Sequence, residues 1–166
     1  EYLYFIYIIF ILNLVLAPLF ISLYLKRQKI IKSLEMNEVK ERSIPYLVSI
    51  LFYIFTYFLL SKISFPSFYL SLFKAATITI LLLFIFSLLK MKFSAHLAAL
   101  GGFLGMLFLV NLYFKMDTNL LIAFTLIITG LVASARLALN AHGFKELFFG
   151  FLIGFLSQLS LIIIPL

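Results

Sequence analysis

Charge is absent from five long stretches of this chain. Residues 2–25, 43–61, 93–114, 118–135 and 147–166 contain no Asp, Glu, Lys or Arg. A sixth apolar stretch, 69–89, is broken only by Lys74, whose long stem lets its ammonium reach a membrane interface. Each run approaches or exceeds the ~20 residues that a membrane-spanning helix needs. The spacing therefore predicts an all-α, integral membrane bundle of six transmembrane helices, built as a single domain over residues 1–166. Only 11% of residues are charged and 65% are apolar, against roughly 25% charged in a soluble domain. The first run is too long and too aromatic for a cleaved signal peptide. With no cysteine in the chain, disulfides, thiolate metal sites and catalytic thiols are excluded.

The polar breaks between the runs order the helices. Helix 1 is expected over residues 2–25, with Pro18 kinking it. The longest polar stretch, 26–44, follows with six basic and three acidic residues, and Pro45 suits the first turn of helix 2, to about residue 60. Helix 3 is expected to end near residue 89, helix 4 to cover 94–114, helix 5 to end near 139, and helix 6 to run from about 143 to the C-terminus. In such a serpentine the first, third and fifth connections share one face. With their helix ends they hold Lys26, Arg27, Lys29, Lys32, Lys40, Arg42, Lys90, Lys92, Arg136 and Lys145, ten of the thirteen basic residues. The positive-inside rule puts that face in the cytoplasm. The net charge of +7 suits anionic lipid headgroups or phosphate, and no long basic tract or soluble surface points to nucleic acid. Glycines 101, 102, 105, 150 and 154 read as points of close helix approach.

The only two histidines, His96 and His142, both fall at polar breaks on that face. Ionisable groups at membrane depth are costly and mark functional sites. His142 and Glu146 are four residues apart and share a helical face if helix 6 begins just before His142. The carboxylate then takes the proton of one imidazole nitrogen and leaves the other as a nucleophile. Arg136, six residues earlier, offers a forked guanidinium for phosphate oxygens. His96 is placed to protonate a leaving oxygen, with Ser94 and Lys92 as further phosphate contacts. The starts of helices 2, 4 and 6 point to the same face, where their free N–H groups favour an anion. A plainer reading makes Arg136 and Glu146 a structural ion pair and each histidine a satisfied interfacial residue.

Ser94-Ala95-His96 and Arg136-x5-His142-x3-Glu146 resemble the second and third signature motifs of the type 2 phosphatidic acid phosphatase superfamily, Pro-Ser-Gly-His and Ser-Arg-x5-His-x3-Asp. The resemblance spans residues 90–154, about 40% of the chain. Phe93, Ala95, Ala135 and Glu146 stand where that family has Pro, Gly, Ser and Asp. The first family motif, Lys-x6-Arg-Pro, is absent in that form, and Lys40-Glu41-Arg42-Ser43-Ile44-Pro45 is its nearest substitute. The resemblance implies a small, divergent bacterial member of the superfamily. It implies a metal-independent hydrolase that cleaves a lipid phosphate or diphosphate through a phosphohistidine, in the inner membrane. On that basis His142 is the nucleophile, Glu146 its orienting partner and His96 the general acid. Arg136, Ser94, Lys92, Lys40 and Arg42 are the phosphate ligands. No cofactor or metal is called for; the partners are a membrane lipid phosphate and the bilayer. Family members in bacteria generally act on the periplasmic face, opposite to the charge count. Two other classes stay open: a catalytically degenerate relative serving as a lipid-binding, transport or scaffold protein, and a bis-histidine haem protein.

Overall fold

The computed structural model describes residues 2–34, 36, 38–63 and 65–160. All regular structure among them is helical. The elements are α1 (Tyr2–Phe10), a π-helical segment (Ile11–Leu16), α2 (Ala17–Arg27), α3 (Val39–Ser61), α4 (Ser67–Leu88), α5 (Ala95–Phe114), α6 (Asn119–Ala138) and α7 (Phe144–Leu159). Five stretches are long and apolar enough to cross a membrane: Ile6–Arg27, Val39–Ser61, Ser67–Leu88, Ala95–Phe114 and Asn119–Ala138. That is the make-up of a multi-pass membrane protein. The apolar α7 has 16 residues, and residues 161–166, which prolong its apolar run, lie outside the described part. Side chains that water would penalise are left bare, as lipid-facing surfaces require: Leu120 is 83% exposed, and Phe124, Ile127 and Leu131 beside it on α6 are also exposed. Thr77, Thr79, Thr125, Thr129 and Ser134 each donate their hydroxyl to the carbonyl four residues back. That satisfies a polar group without a water partner.

The chain packs as two compact units, Glu1–Met91 and Lys92–Leu166. In the first, α3 and α4 form the main pair. Ahead of Pro18 the helix turn widens to π geometry, with Ala17 N–H bonded to the Leu12 carbonyl. A proline ring collides with the carbonyl four residues earlier in α geometry, and a π turn relieves that collision. The polar connection is shorter than the sequence predicted. Rather than starting at Pro45, α3 begins at Val39, and Pro45 lies inside it. The segment before it is folded down: Ile31 is 1% exposed, Lys32 N–H donates to Glu41 Oε1 at 2.8 Å, and Arg42 Nε donates to the Met36 carbonyl at 2.9 Å. An exposed ion pair joins Lys32 and Glu38. The Lys32 ammonium holds the Glu38 carboxyl below its ordinary range by hydrogen bonding and charge. These tertiary ties add helical turns that a proline rule alone leaves out.

Three helices stop by the same device. After α2, α4 and α6, residues Lys29, Lys90 and Asn140 adopt left-handed backbone conformations. In each case two bonds close the last turn: Lys29 and Ile30 N–H to the Lys26 and Leu25 carbonyls, Lys90 and Met91 N–H to Ser87 and Phe86, Asn140 and Ala141 N–H to Leu137 and Arg136. This Schellman arrangement satisfies terminal carbonyls and reverses the chain in two residues.

In the second unit α5 packs most closely on α7 and more lightly on α6. The α5–α7 seam depends on glycine. A Cβ on Gly150 would lie 2.6 Å from the Ser94 carbonyl oxygen, and one on Gly154 would overlap the carbonyl oxygen of Ala98. Gly130 on α6 has open space around its Cβ position. Gly154→Ala is therefore expected to destabilise the protein by at least ~1–3 kcal/mol through overpacking against backbone. Gly130→Ala is expected to be neutral or stabilising by up to ~1 kcal/mol through helix propensity. Thermal unfolding of the two variants in detergent, monitored by far-UV circular dichroism, gives the comparison.

Candidate functional site

The second unit carries Lys92, His96, Arg136, His142, Lys145 and Glu146 at one end, and Lys115 and Asp117 at the α5–α6 turn. Ser94 is the N-cap of α5: its Oγ accepts the Leu97 N–H at 3.4 Å, placing His96 in the first turn. Ser94 N–H donates to the Glu146 carbonyl at 3.1 Å, so the start of α5 is bonded to the first turn of α7. Gly150, one turn beyond Glu146, makes room for this contact. Arg136 lies in the last turn of α6. The Schellman stop at Asn140 then returns the chain so that Gly143 caps α7. Three helix ends thus converge, bringing His96 against Arg136 and the Ser94 backbone against that of Glu146.

His142 does not share a helical face with Glu146, as the spacing suggested. It precedes the N-cap of α7, whose helix begins at Phe144. The pair forms all the same, because Glu146 reaches back over the helix start. Its Oε2 accepts His142 Nδ1–H at 2.7 Å and Gly143 N–H at 3.3 Å. This is the acidic half of a capping box. The extra methylene of Glu over Asp matches the longer reach from the third helical residue to a side chain outside the helix. His142 is buried, with a side chain 5% exposed. A carboxylate only accepts, so in the neutral ring Nδ1 carries the proton and Nε2 holds the lone pair.

His96 and Arg136 form the second pair. Arg136 Nη2 is 2.6 Å from His96 Nε2 and 3.2 Å from Nδ1. With Nη2 this near to both ring nitrogens, the guanidinium lies over the face of the His96 ring. His96 is exposed and Arg136 partly so, which leaves this pair open to a ligand while His142 is sheltered. Lys92, half-buried, sits in the non-helical link before Ser94, and Lys145 is exposed on the first turn of α7.

The remaining phosphate-ligand candidates stand differently. Ser94 is 0% exposed and its hydroxyl caps α5, so its place is that of a positioning residue whose backbone aligns two helix starts. Lys40 and Arg42 belong to the first unit and lie on α3 rather than in a connection. Lys40 is exposed. Arg42 is 7% exposed with Nε on the Met36 carbonyl, an anchor for the loop before α3. Sequence spacing missed the capping place of Gly143, while Gly150, read as a point of close helix approach, meets the Ser94 backbone.

No protein-family model matches the chain, and no curated protein or solved structure matches it.

What the arrangement offers chemically is a sheltered imidazole with a defined lone pair, an exposed imidazole and a guanidinium beside it, and the free N–H groups of α7 close by. Neutral His142 is expected to be the Nδ1–H tautomer, and Glu146→Ala to move it toward the Nε2–H tautomer. Imidazole 15N chemical shifts of the detergent-solubilised protein distinguish the two, and an unchanged tautomer would disprove the orienting role of Glu146.

Proposed function

We propose that this protein is a six-helix membrane phosphatase of the phosphatidic acid phosphatase type 2 kind, with α7 as the core of its sixth span. It hydrolyses a lipid phosphate or diphosphate, such as a polyprenyl diphosphate or phosphatidate, in a bacterial inner membrane. The observation that carries this reading is the His142–Glu146 hydrogen bond of 2.7 Å, at a helix start bonded to the one that bears His96, with Arg136 against His96. A buried imidazole held by a carboxylate is an activated nucleophile. An adjacent guanidinium suits the equatorial phosphate oxygens, and a second imidazole suits proton transfer to the leaving group.

In the first step the His142 Nε2 lone pair forms a P–N bond as the bond from phosphorus to the lipid oxygen breaks. The electron pair goes to that oxygen, which takes a proton from His96. Glu146 stabilises the positive charge that develops on the His142 ring. In the second step water attacks phosphorus, the P–N pair returns to His142, and His96 takes the proton from water. Phosphate oxygens are held by Arg136 and by the N–H groups at the start of α7 throughout. Lys92 and Lys145 add positive charge near that end.

A guanidinium 2.6 Å from a His96 ring nitrogen favours this reading over a haem iron at the same ring, since two cations would then crowd one imidazole. The buried, capping Ser94 favours a second reading, that the chain binds lipid phosphate without turning it over. Phosphate release in the presence of chelator, from undecaprenyl diphosphate, phosphatidate and phosphatidylglycerol phosphate, separates the two. His142→Ala is expected to lower turnover by at least ~10³-fold, because no second step replaces the nucleophile. His96→Ala is expected to lower it by ~10²–10⁴-fold. Lipid phosphate binding with no release above the His142→Ala background would establish the non-catalytic reading.

A further inference from the structure

Phenylalanine is concentrated on one helix of the second unit. Five of the 16 residues of α7 are Phe. With 3.6 residues per turn, Phe144, Phe148, Phe151, Phe155 and Leu159 fall within an arc of about 80° on that helix. The ring pairs Phe144–Phe148 and Phe151–Phe155 are each stacked, with planes 11° apart and centroids 6.4 and 5.9 Å apart. Phe108 of α5 meets Phe155 edge-on at 5.9 Å. The stripe borders the glycine seam, where Gly150 and Gly154 lie against α5, and it is open along its length. Phe144 is 71% and Phe148 49% exposed, while Phe151, Phe155 and Leu159 are half-buried.

Lipid-facing aromatic residues are ordinary in a membrane protein, and two features set this stripe apart. Its head is the site: Phe144 is the first residue of α7, beside the capping Gly143 and two residues before Glu146. Its foot is a partly open cavity of about 400 Å³, lined by Phe108, Leu112, Phe155 and Leu159 among others. The one polar side chain in that lining, Asn111, directs its Nδ2 to Thr118 Oγ1 at 3.4 Å, so what remains is an apolar hollow. From Phe144 to Leu159 the helix rises ~22 Å. An extended hydrocarbon advances roughly 1.2 Å per bond, so about eighteen carbons cover that distance. The other helix that brings a cation to the site, α6, offers no such track, since Phe124 is its single phenylalanine.

We propose that this stripe is the seat of the substrate's hydrocarbon tail. A lipid phosphate with a tail of roughly 16–20 carbons lies along Phe144, Phe148, Phe151 and Phe155 and ends in the cavity at Leu112 and Leu159. The inference rests on the phosphate-site reading above and adds to it the length of the lipid. Anchor and track begin in the same turn of one helix. Phosphate held by Arg136 and the N–H groups at the head of α7 fixes where the tail starts, and the helix fixes where it ends. A tail of about eight carbons, ~10 Å long, stops short of Phe155 and leaves the cavity unfilled. A much longer tail runs past Leu159 and gains nothing further from the track.

The chain has no tryptophan, so Leu159→Trp places a single fluorophore at the foot of the track and Phe148→Trp places one near its head. Emission of the full-length protein in mixed micelles is read against long-chain lipids brominated near the headgroup or at the tail end, bromine being a contact quencher. The probes are a phosphonate analogue of phosphatidate, whose P–C bond is not hydrolysed, and diacylglycerol with the same brominated chains. The phosphonate lipid is expected to quench the Leu159→Trp protein through tail-end bromines and the Phe148→Trp protein through headgroup-near bromines. Each half-quenching is expected at a mole fraction ~10-fold or more below that for diacylglycerol, because the phosphate contact is charge-assisted. Should one variant fail to fold, the other still reads that headgroup preference. Equal quenching by the two lipids makes the stripe ordinary lipid contact and overturns the inference. A headgroup preference in the Phe148→Trp protein that is absent from a folded Leu159→Trp protein also overturns it, since the tail then leaves the track. Phosphate release from dioctanoyl phosphatidate by the wild type, which does not need the cavity, is measured alongside. Release with equal quenching leaves the phosphatase reading standing without the tail seat, and no release with equal quenching removes both.

Discussion

Everything in the second unit depends on how closely α5 and α7 approach. Inside a bilayer the lipid tails are as apolar as the side chains, so burial gives little reason for helices to associate, and van der Waals contact and hydrogen bonds take its place. Those forces are short-ranged. They require backbone near backbone, and Gly150 against Ser94 and Gly154 against Ala98 provide it. Once the seam closes, Ser94 N–H meets the Glu146 carbonyl, and the first turns of two helices become one structure. His96 and the Glu146–His142 pair are carried on those turns. The site is thus a by-product of a packing decision made along the full length of two helices.

Described residues of the polar segments are held by specific bonds. Left-handed residues at Lys29, Lys90 and Asn140 end three helices within two residues. Before α3, a buried isoleucine, an arginine on a carbonyl and a glutamate on an N–H hold a stretch that looks like solvated linker by composition. Charged residues here serve shape as much as surface, because near a membrane each backbone group left without water needs a partner from the chain itself.

Uncharged length is a one-dimensional property, and the five long helices were legible from it. The glycines of α5 and α7 were legible as packing points for a similar reason, since small residues have few other uses in lipid. Helix starts were less so. Pro45 looked like a first-turn residue, yet Arg42 and Glu41 hold helix ahead of it through contacts with residues 32 and 36, which no local pattern encodes. The four-residue interval from His142 to Glu146 suggested a shared helical face. The contact exists, but as a cap reaching outside the helix, and Gly143 rather than periodicity makes it. Ser94 was read as a ligand from its motif position. Its hydroxyl serves as the N-cap, a role any serine three residues before a free N–H can assume. The division into two compact units left no mark in composition, because both are equally apolar.

The glycine seam also sets how the site responds to mechanical stress. Two helices in backbone contact along their length cannot slide or part without breaking that contact, since packed interiors resist small deformations. A bilayer that thickens, thins or is stretched will tilt the α5–α7 pair as a single rod. The spacing between the groups at the head of that rod stays the same while its depth in the membrane changes. Lateral pressure thus acts on where the paired imidazoles stand relative to the lipid headgroups, and leaves their internal geometry alone.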